Sequence, residues 1–507
     1  MELLAPAAVP DPQVCEQARI TRDPRFDGWF FTAVTSTRIY CRPVCPVPTV
    51  KQANVRYYAS AAAAEAEGFR PCLICRPELA PGAWRRGDAL LARALKLIDE
   101  GLLDDQPLAA LAARVGTGER QLRRLFVERL GASPRDVHTT RRLLFAKQLL
   151  TETSLPITEV ALEAGFGSLR RFNASFRRAY RMAPTDLRKR PRQTEGHALS
   201  LRLDYRPPYD FGRLLEFLRT RAVAGLEAVE AGSYARLFGE PGATGWLKVS
   251  ASPGREHALN VQLHCARSTQ ILRVAVRLRR MFDLDADPAA IRATLAGDER
   301  LRPSIERFPG LRLAGGWDGF EVAVRAVLGR LSGTAARQQV ASLVRDYGHV
   351  PATASPTGLD RLFPTAEVLA DAAPDALVAT GLPRAGATAI RELARACLDG
   401  QVDFRPEQTL EGFVARWSAL PGIDARTAHY IALRALGHPD AFPADERILR
   451  ALAGRGVARA LEVEAQGWRP WRAYAVTHLW LGAAPQPSRC DAPLRSGEDR
   501  HQQWRSP

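Results

Sequence analysis

Four cysteines carry the first chemical signal in this 507-residue chain. Cys41 and Cys45 stand in "YCRPVCPVP" (40–48), and Cys72 and Cys75 in "RPCLICRP" (70–77). The spacings are Cys-x3-Cys and Cys-x2-Cys, with 26 residues between the pairs. Two close thiol pairs suit the tetrahedral sulfur set that Zn²⁺ takes, so one zinc held by four cysteines is expected. Such a set can be a structural clip. It can also supply a nucleophile, because a metal-bound thiol stays deprotonated at neutral pH and the thiolate is the reactive form. Cys15, Cys265, Cys397 and Cys490 are scattered singly. That pattern speaks against a disulfide scaffold and for a reducing cytosol.

A second chemical set is cationic. "LAALAARVGTGERQLRRLF" (108–126) and "ITEVALEAGFGSLRRFNASF" (157–176) repeat at an offset of 49 to 50 residues. Each copy reads as a short helix, a turn at Gly116 or Gly165, and an arginine-rich second helix. This is helix-turn-helix grammar, in which the second helix enters a DNA groove. The second helices are expected to begin near Gly118 and Ser168. Arg120, Arg123, Arg124, Arg170 and Arg171 are then candidates to reach bases or phosphates. Leu122, Phe126, Phe172 and Phe176 fall on the opposite face and are expected in the core.

These residues need a multidomain frame. The chain is 46% hydrophobic and 25% charged, enough for several cores, and its net charge of +16 favours a polyanion partner. No stretch approaches the roughly 18 apolar residues of a membrane span. The N-terminus lacks the basic and apolar regions of a signal peptide. "RPELAPGAWRRGD" (76–88) and "RKRPRQTEGHA" (188–198) read as breaks. Alternating stretches between 198 and 280 predict a small antiparallel α+β layer, and 283–482 reads as almost wholly helical. The expected fold is multidomain and mainly α. Its parts are a small four-cysteine zinc α+β domain (1–85), an all-α double helix-turn-helix (86–192), an α+β layer (193–300), an all-α domain (301–485) and a disordered tail (486–507).

The region "FFTAVTSTRIYCRPVCP…NVRYYASAAAAEAEGFRPCLICRP" closely resembles the N-terminal domain of Ada, the bacterial adaptive-response protein. The resemblance implies repair of methyl phosphotriesters in DNA, with Cys41 as methyl acceptor and Cys45, Cys72 and Cys75 as the remaining ligands. Thr37 and Arg70 match backbone-contacting positions. Two further arginine positions of the family fall on Pro46 and Pro48, which leaves Lys51 or Arg42 to compensate. The electrostatics agree with that role. Four thiolates on Zn²⁺ carry −2, and one methylation reduces this to −1, so affinity for the phosphate backbone should rise. Transfer would then be at once a single-turnover repair and a switch. The Pro-Cys-His-Arg motif of the second Ada methyltransferase site has no match, so repair of O6-methylguanine is not expected.

The helix-turn-helix pair resembles the AraC-type DNA-binding domain, most specifically in "AGFGSLRRFNASFRRAYRMAPTDLR" (164–188). "LPGIDARTAHYIALRALGHPDAFPADERIL" (420–449) resembles the helix-hairpin-helix signature of the 3-methyladenine DNA glycosylase II family. "RMFDLDADP", "PGLRLAGGWDGFEVAVRAVLG" and "WRPWRAYAVTHLWLG" extend that resemblance over about 198–485. It implies that a hairpin around Gly422 grips a phosphate, that a damaged base is flipped into an aromatic pocket, and that an Asp assists glycosidic cleavage. Tyr430 and Trp480 match pocket aromatics. The catalytic Asp position falls on Glu446, with Asp445 just before it. The hairpin's second glycine is Asp424, a pocket tryptophan position is Arg426, and the usual Gln-rich turn reads Arg330-Leu331. His429 and His478 read as packing residues. Either excision survives through Glu446 or Asp445, or this half only binds DNA; the four departures favour loss or attenuation.

The expected function is therefore an alkylation-damage sensor, transcription activator and repair protein. Its expected partners are double-stranded DNA, methylated DNA and promoter DNA, together with RNA polymerase by resemblance. It is expected to act as a bacterial cytoplasmic monomer at the nucleoid, with no membrane partner. The alternative is a non-enzymatic DNA-binding regulator with structural zinc and a degenerate glycosylase scaffold.

Overall fold

The computed structural model describes residues 9–82, 89–188, 199–240, 243–254, 257–265, 271–332, 335–351, 358–405, 408–444 and 464–482. It is mainly helical, with two sheets among these residues. The expected tail 486–507, with Cys490, lies outside them.

The N-terminal part holds α1 (Pro12–Thr21), β1 (Phe31–Val34), β2 (Ile39–Cys41), β3 (Val55–Tyr58), α2 (Ala61–Ala66) and β4 (Arg70–Pro71), with sheet order β3-β1-β2-β4. β1 pairs antiparallel with β2 and β3, while β2 and β4 run parallel with Ile39 opposite Arg70. Ser60 starts α2 by accepting the Ala63 N–H at 3.1 Å. The alanine-rich α2 then lies close on the sheet, with Ala61 and Ala64 buried against Phe31, Tyr40 and Phe69.

Eight helices follow among the described residues: α3 (Ala89–Asp99), α4 (Leu102–Asp105), α5 (Leu108–Arg114), α6 (Glu119–Leu130), α7 (Pro134–Glu152), α8 (Ile157–Glu163), α9 (Leu169–Tyr180) and α10 (Pro184–Leu187). The turns between α5 and α6 and between α8 and α9 pass through Gly116 and Gly165, at φ 77° and 78°. A side chain at either point would be strained, which is why glycine marks both turns. Leu122, Phe126 and Leu130 recur at helical spacing along α6 and are buried, as are Phe172, Phe176 and Tyr180 along α9.

A five-stranded antiparallel sheet comes next. It contains β5 (Leu199–Asp204), β6 (Glu227–Glu230), β7 (Ser233–Glu240), β8 (Ala243–Ala251) and β9 (Ala258–Cys265), ordered β5-β9-β8-β7-β6. α11 (Phe211–Arg219) lies between β5 and β6 in the chain. The remainder is helical: α12 (Ile271–Met281), α13 (Pro288–Leu295), α14 (Arg302–Arg307), α15 (Gly319–Ser332), α16 (Ala336–Tyr347), α17 (Ala366–Asp371), α18 (Pro374–Ala379), α19 (Arg384–Leu398), α20 (Leu410–Ser418), α21 (Ala425–Leu436) and α22 (Arg472–Gly482).

The cores do not stop at the linkers. One apolar cluster joins Leu143, Phe172 and Tyr180 of the helix-turn-helix part to Leu201, Leu247 and Trp317 beyond it. Leu144 of α7 also enters the core of the N-terminal sheet. Buried polar bonds follow the same seams. Lys147 on α7 is almost fully buried and reaches the Cys72 carbonyl at 3.1 Å and Glu78 at 2.5 Å. Arg206, fully buried just after β5, donates to the carbonyls of Asp27, Pro81, Gly82 and Asp285.

Candidate functional site

The strand pairing assembles the cysteine cluster. Cys41 ends β2 and Cys72 follows β4, its neighbour in the sheet; the Cys72 N–H bonds the Tyr40 carbonyl at 2.9 Å. Each second cysteine then lies on the turn that follows, and the Cys45 N–H closes its turn on the Arg42 carbonyl. All four sulfurs lie within 4.8 Å of one another, and all four residues are buried. A tetrahedral Zn–S bond of about 2.3 Å separates sulfurs by about 3.8 Å, so the spacing fits one ion. Four thiolates this close and this buried cannot remain ionised without a cation. The cluster is therefore arranged to hold one metal ion, and the donor set is that of zinc.

The sulfurs are not equivalent. Cys75 Sγ accepts the Arg42 N–H at 3.3 Å and Cys72 Sγ accepts the Ile74 N–H at 3.4 Å. Among the described residues, no backbone N–H is bonded to Cys41 Sγ.

Around the cluster, Thr37 and Lys51 are exposed and Arg70 is half-buried. Arg42 departs from the expectation of a surface phosphate contact. It is 5% exposed, forms a bidentate pair with Asp27, and places Nη1 2.9 Å from Asp204 on β5 and 3.2 Å from the Cys75 carbonyl. Two carboxylates and a carbonyl hold the guanidinium inside the molecule, so it presents no charge to a phosphate. Pro46 and Pro48 are exposed, and Arg22 lies against their loop, donating from Nη2 to the carbonyls of Pro46 at 3.2 Å and Val47 at 3.3 Å. Sequence reasoning missed Arg22. It caps α1 in the left-handed conformation, and nothing in its spacing pointed to a loop 24 residues away.

Gly118 and Ser168 are the N-caps of α6 and α9. Arg120, Arg123, Arg124, Arg170 and Arg171 are exposed on these helices. Arg123 pairs with Glu119 at 3.1 Å and Arg124 with Glu128 at 3.6 Å, both one turn away. Exposed pairs of this kind hold side chains loosely and leave them available to DNA.

In the helical C-terminal part the hairpin between α20 and α21 turns at Gly422, at φ 80°, where a Cβ would meet Ala389 at 3.0 Å. Asp424 is the N-cap of α21, and Arg426 is exposed in its first turn. Tyr430 and Trp480 come together from α21 and α22, with ring centroids 6.4 Å apart. Sequence reasoning missed Arg434, one turn on from Tyr430. It is buried, donates to the Ala314 carbonyl at 2.7 Å, and lies 5.4 Å from the Tyr430 ring, 5.7 Å from Trp480 and 4.4 Å from Phe217. Burial raises the Tyr430 phenol, but Arg434 and Arg221 more than offset it and hold its pKa below the usual value. His429 accepts the Phe442 N–H at 3.3 Å, and His478 bonds Ser304 at 3.0 Å. Burial pushes both imidazoles down to about 4. They pack between helices as expected. Asp445 and Glu446 lie outside the described residues.

A four-cysteine centre, two helix-turn-helix units and a helix-hairpin-helix turn beside an aromatic pair define a DNA-repair regulator with a metal centre. Family models agree. The metal-binding domain of Ada matches residues 14–78, a helix-turn-helix domain 111–190 and the AlkA N-terminal domain 200–318. A Mycobacterium tuberculosis protein, "Probable bifunctional transcriptional activator/DNA repair enzyme AlkA", is 38% identical over 92% of this chain and 95% of its own length. The Escherichia coli "DNA-3-methyladenine glycosylase 2" is 33% identical over 56% of this chain and 98% of its own. The Escherichia coli "Bifunctional transcriptional activator/DNA repair enzyme Ada" is 36% identical over 30% of this chain and 41% of its own. The chain belongs to the family of bifunctional transcriptional activators and DNA repair enzymes that joins an Ada-type zinc domain and a helix-turn-helix to a glycosylase fold. No helix among the described residues is long and apolar enough to cross a membrane.

Proposed function

We propose that Cys41 accepts a methyl group from a methyl phosphotriester in DNA, once per molecule. The observation that supports this is the bonding of the sulfurs: Cys72 and Cys75 accept backbone N–H groups, and Cys41 does not among the described residues; the choice of Cys41 over Cys45 rests on the match of Cys41 to the methyl acceptor of the Ada domain. A hydrogen bond to a thiolate draws off the electron density that attacks, so Cys41 keeps a more reactive lone pair than Cys72 or Cys75. Bound zinc keeps the thiolates deprotonated. Cys41 Sγ attacks the methyl carbon, the S–C bond forms as the methyl C–O bond breaks, and the phosphate leaves as a diester anion. Cys41 becomes a neutral thioether and the cluster loses one negative charge. Thr37, Arg70 and Lys51 contact the DNA backbone, and Arg22 takes the place that Arg42 cannot fill.

The reduced charge raises affinity for promoter DNA read by α6 and α9, and RNA polymerase is recruited there in the cytoplasm. The C-terminal half engages damaged purines at the Tyr430–Trp480 pair, with Glu446 or Asp445 as the carboxylate and attenuated excision. The test of transfer is intact and peptide mass spectrometry after incubation with methylated duplex DNA. One methyl adduct confined to Cys41 is expected; absence of any adduct on the zinc-loaded protein would sink this reading. Free-base release compared between wild type and Glu446→Gln tests the second half. Equal release by the two removes Glu446 from the reaction.

A further inference from the structure

Two of the departures in the hairpin region are bonded to each other. Arg330 Nε, in the last turn of α15, lies 3.1 Å from Asp424 Oδ2 at the start of α21. The other carboxylate oxygen accepts the Thr427 N–H at 2.8 Å and the Thr427 hydroxyl at 2.7 Å. Both oxygens of Asp424 are therefore engaged. Burial raises its pKa, but the bonds from Thr427 and Arg330 more than offset that and hold it down at about 2. The carboxylate stays ionised at any pH at which the protein meets DNA.

We infer that Arg330 and Asp424 form one phosphate-gripping unit, in which Arg330 touches the DNA backbone at the hairpin and Asp424 is its positioning residue. This rests on the reading of the C-terminal half as a lesion-engaging module. An isolated Asp424 would repel the phosphate that a hairpin of this kind holds. The ion pair removes that conflict. Asp424 directs its charge to Nε, and the two terminal nitrogens of Arg330 remain to donate, on a side chain that is 34% exposed. With the exposed Arg426 in the first turn of α21, the hairpin region carries two arginines to the one carboxylate of Asp424, a net positive charge. The hairpin lies close on α15: a Cβ added at Gly422 would sit 4.0 Å from Val327, one turn before Arg330. As a stability device so exposed a pair contributes little. A fork held by a capped, fully ionised carboxylate has the geometry for a phosphate.

The test uses the full-length, unmethylated protein on a non-promoter duplex carrying a tetrahydrofuran abasic-site analogue, beside the matched intact duplex, across a salt series. Wild type should prefer the abasic duplex. Arg330→Ala should weaken that binding about tenfold and lower the slope of log K against log salt by about 0.9, the loss of one phosphate contact. Arg330→Lys should retain most of the slope, and equal melting temperatures exclude a folding defect. Asp424→Gly should weaken binding less than Arg330→Ala, and the double variant should match Arg330→Ala alone. Tighter binding by Asp424→Gly would overturn the proposal, because Asp424 would then be a repulsive anion. An unchanged slope in Arg330→Ala with the abasic preference intact overturns it alone. No abasic preference in wild type overturns the lesion-engaging reading and this proposal with it.

Discussion

The cysteine cluster and the helix-hairpin-helix region stand at opposite ends of a scale of locality. The cluster is built from residues 41–75, on two paired strands and the turns after them. Its chemistry survives wherever that short stretch folds. The aromatic pair draws on α21 and α22, 50 residues apart, with Arg434 from the next turn of α21 and Phe217 from still further away completing its surroundings. Such a site depends on how whole helices pack, and one changed residue alters what its neighbours do. Here the short-range site has all four cysteines together, and the long-range one carries Asp424, Arg426 and Arg330 at positions where the resemblance to the glycosylase family implies other residues. Reagents consumed once need one well-placed atom. A pocket that flips and grips a base needs many.

The largest expected effect tests the short-range end. Cys41→Ser should abolish methyl uptake from methylated DNA by mass spectrometry. Zinc release by a chelator should lower the melting temperature of the whole chain rather than of one fragment, because metal binding is folding free energy and the N-terminal part shares its core with α7. A melt in which the C-terminal half is unaffected would show the two regions to be separable after all.

Next in size is Arg42→Ala. It strands the buried carboxylate of Asp27 and leaves Asp204 to Arg202 alone, and chemical denaturation should show a loss of about 3–5 kcal/mol. Its expected lack of effect on the salt slope of DNA binding separates it from a phosphate contact. Arg22→Ala should behave in the opposite way. Stability should hold within about 0.5 kcal/mol. Methyl transfer from methylated DNA should slow several-fold, while methylation of Cys41 by methyl iodide stays unchanged. A parallel fall in both rates would make Arg22 a structural residue of the cluster loop.

The smallest effect lies in pH. Burial lifts Glu65 to about 7, although Thr140 and Tyr40 donate to it at 2.7 and 2.8 Å. The folded state therefore binds this proton more tightly than the unfolded one. Its contribution is fully present below about pH 4.5 and is lost as pH rises through 7. Glu65→Gln should flatten that part of the stability profile relative to wild type, measured by denaturant titrations at about pH 5, 6, 7 and 8.

Much of this architecture could be read from local pattern. The cysteine spacing, the left-handed glycines Gly116 and Gly165 and the buried stripe of Leu122 and Phe126 obey rules of a few residues' range, and the structure shows each where those rules put it. The alternating stretches between 198 and 280 form the antiparallel sheet. Arg42 shows where pattern fails. An arginine beside a metal ligand near DNA reads as a phosphate contact, yet its partner Asp204 is 162 residues away. No periodicity reports that distance, so burial of the guanidinium is invisible until the chains of contact are closed. Asp424 reads as a clash for the same reason: its partner Arg330 is 94 residues back.

The sequence by itself determined the kind of chemistry: four thiols for one metal, paired helices with exposed arginines, and a hairpin with a glycine at its turn. These are consequences of side-chain type and short spacing, and they hold in any packing that lets the segments form. The tertiary structure alone decided which charges are available. It buried Arg42 between two carboxylates, brought Arg22 to the proline loop and tied Arg330 to Asp424. A charge acts on DNA only if nothing nearer neutralises it, and what lies nearer is settled by packing between segments that the chain keeps far apart.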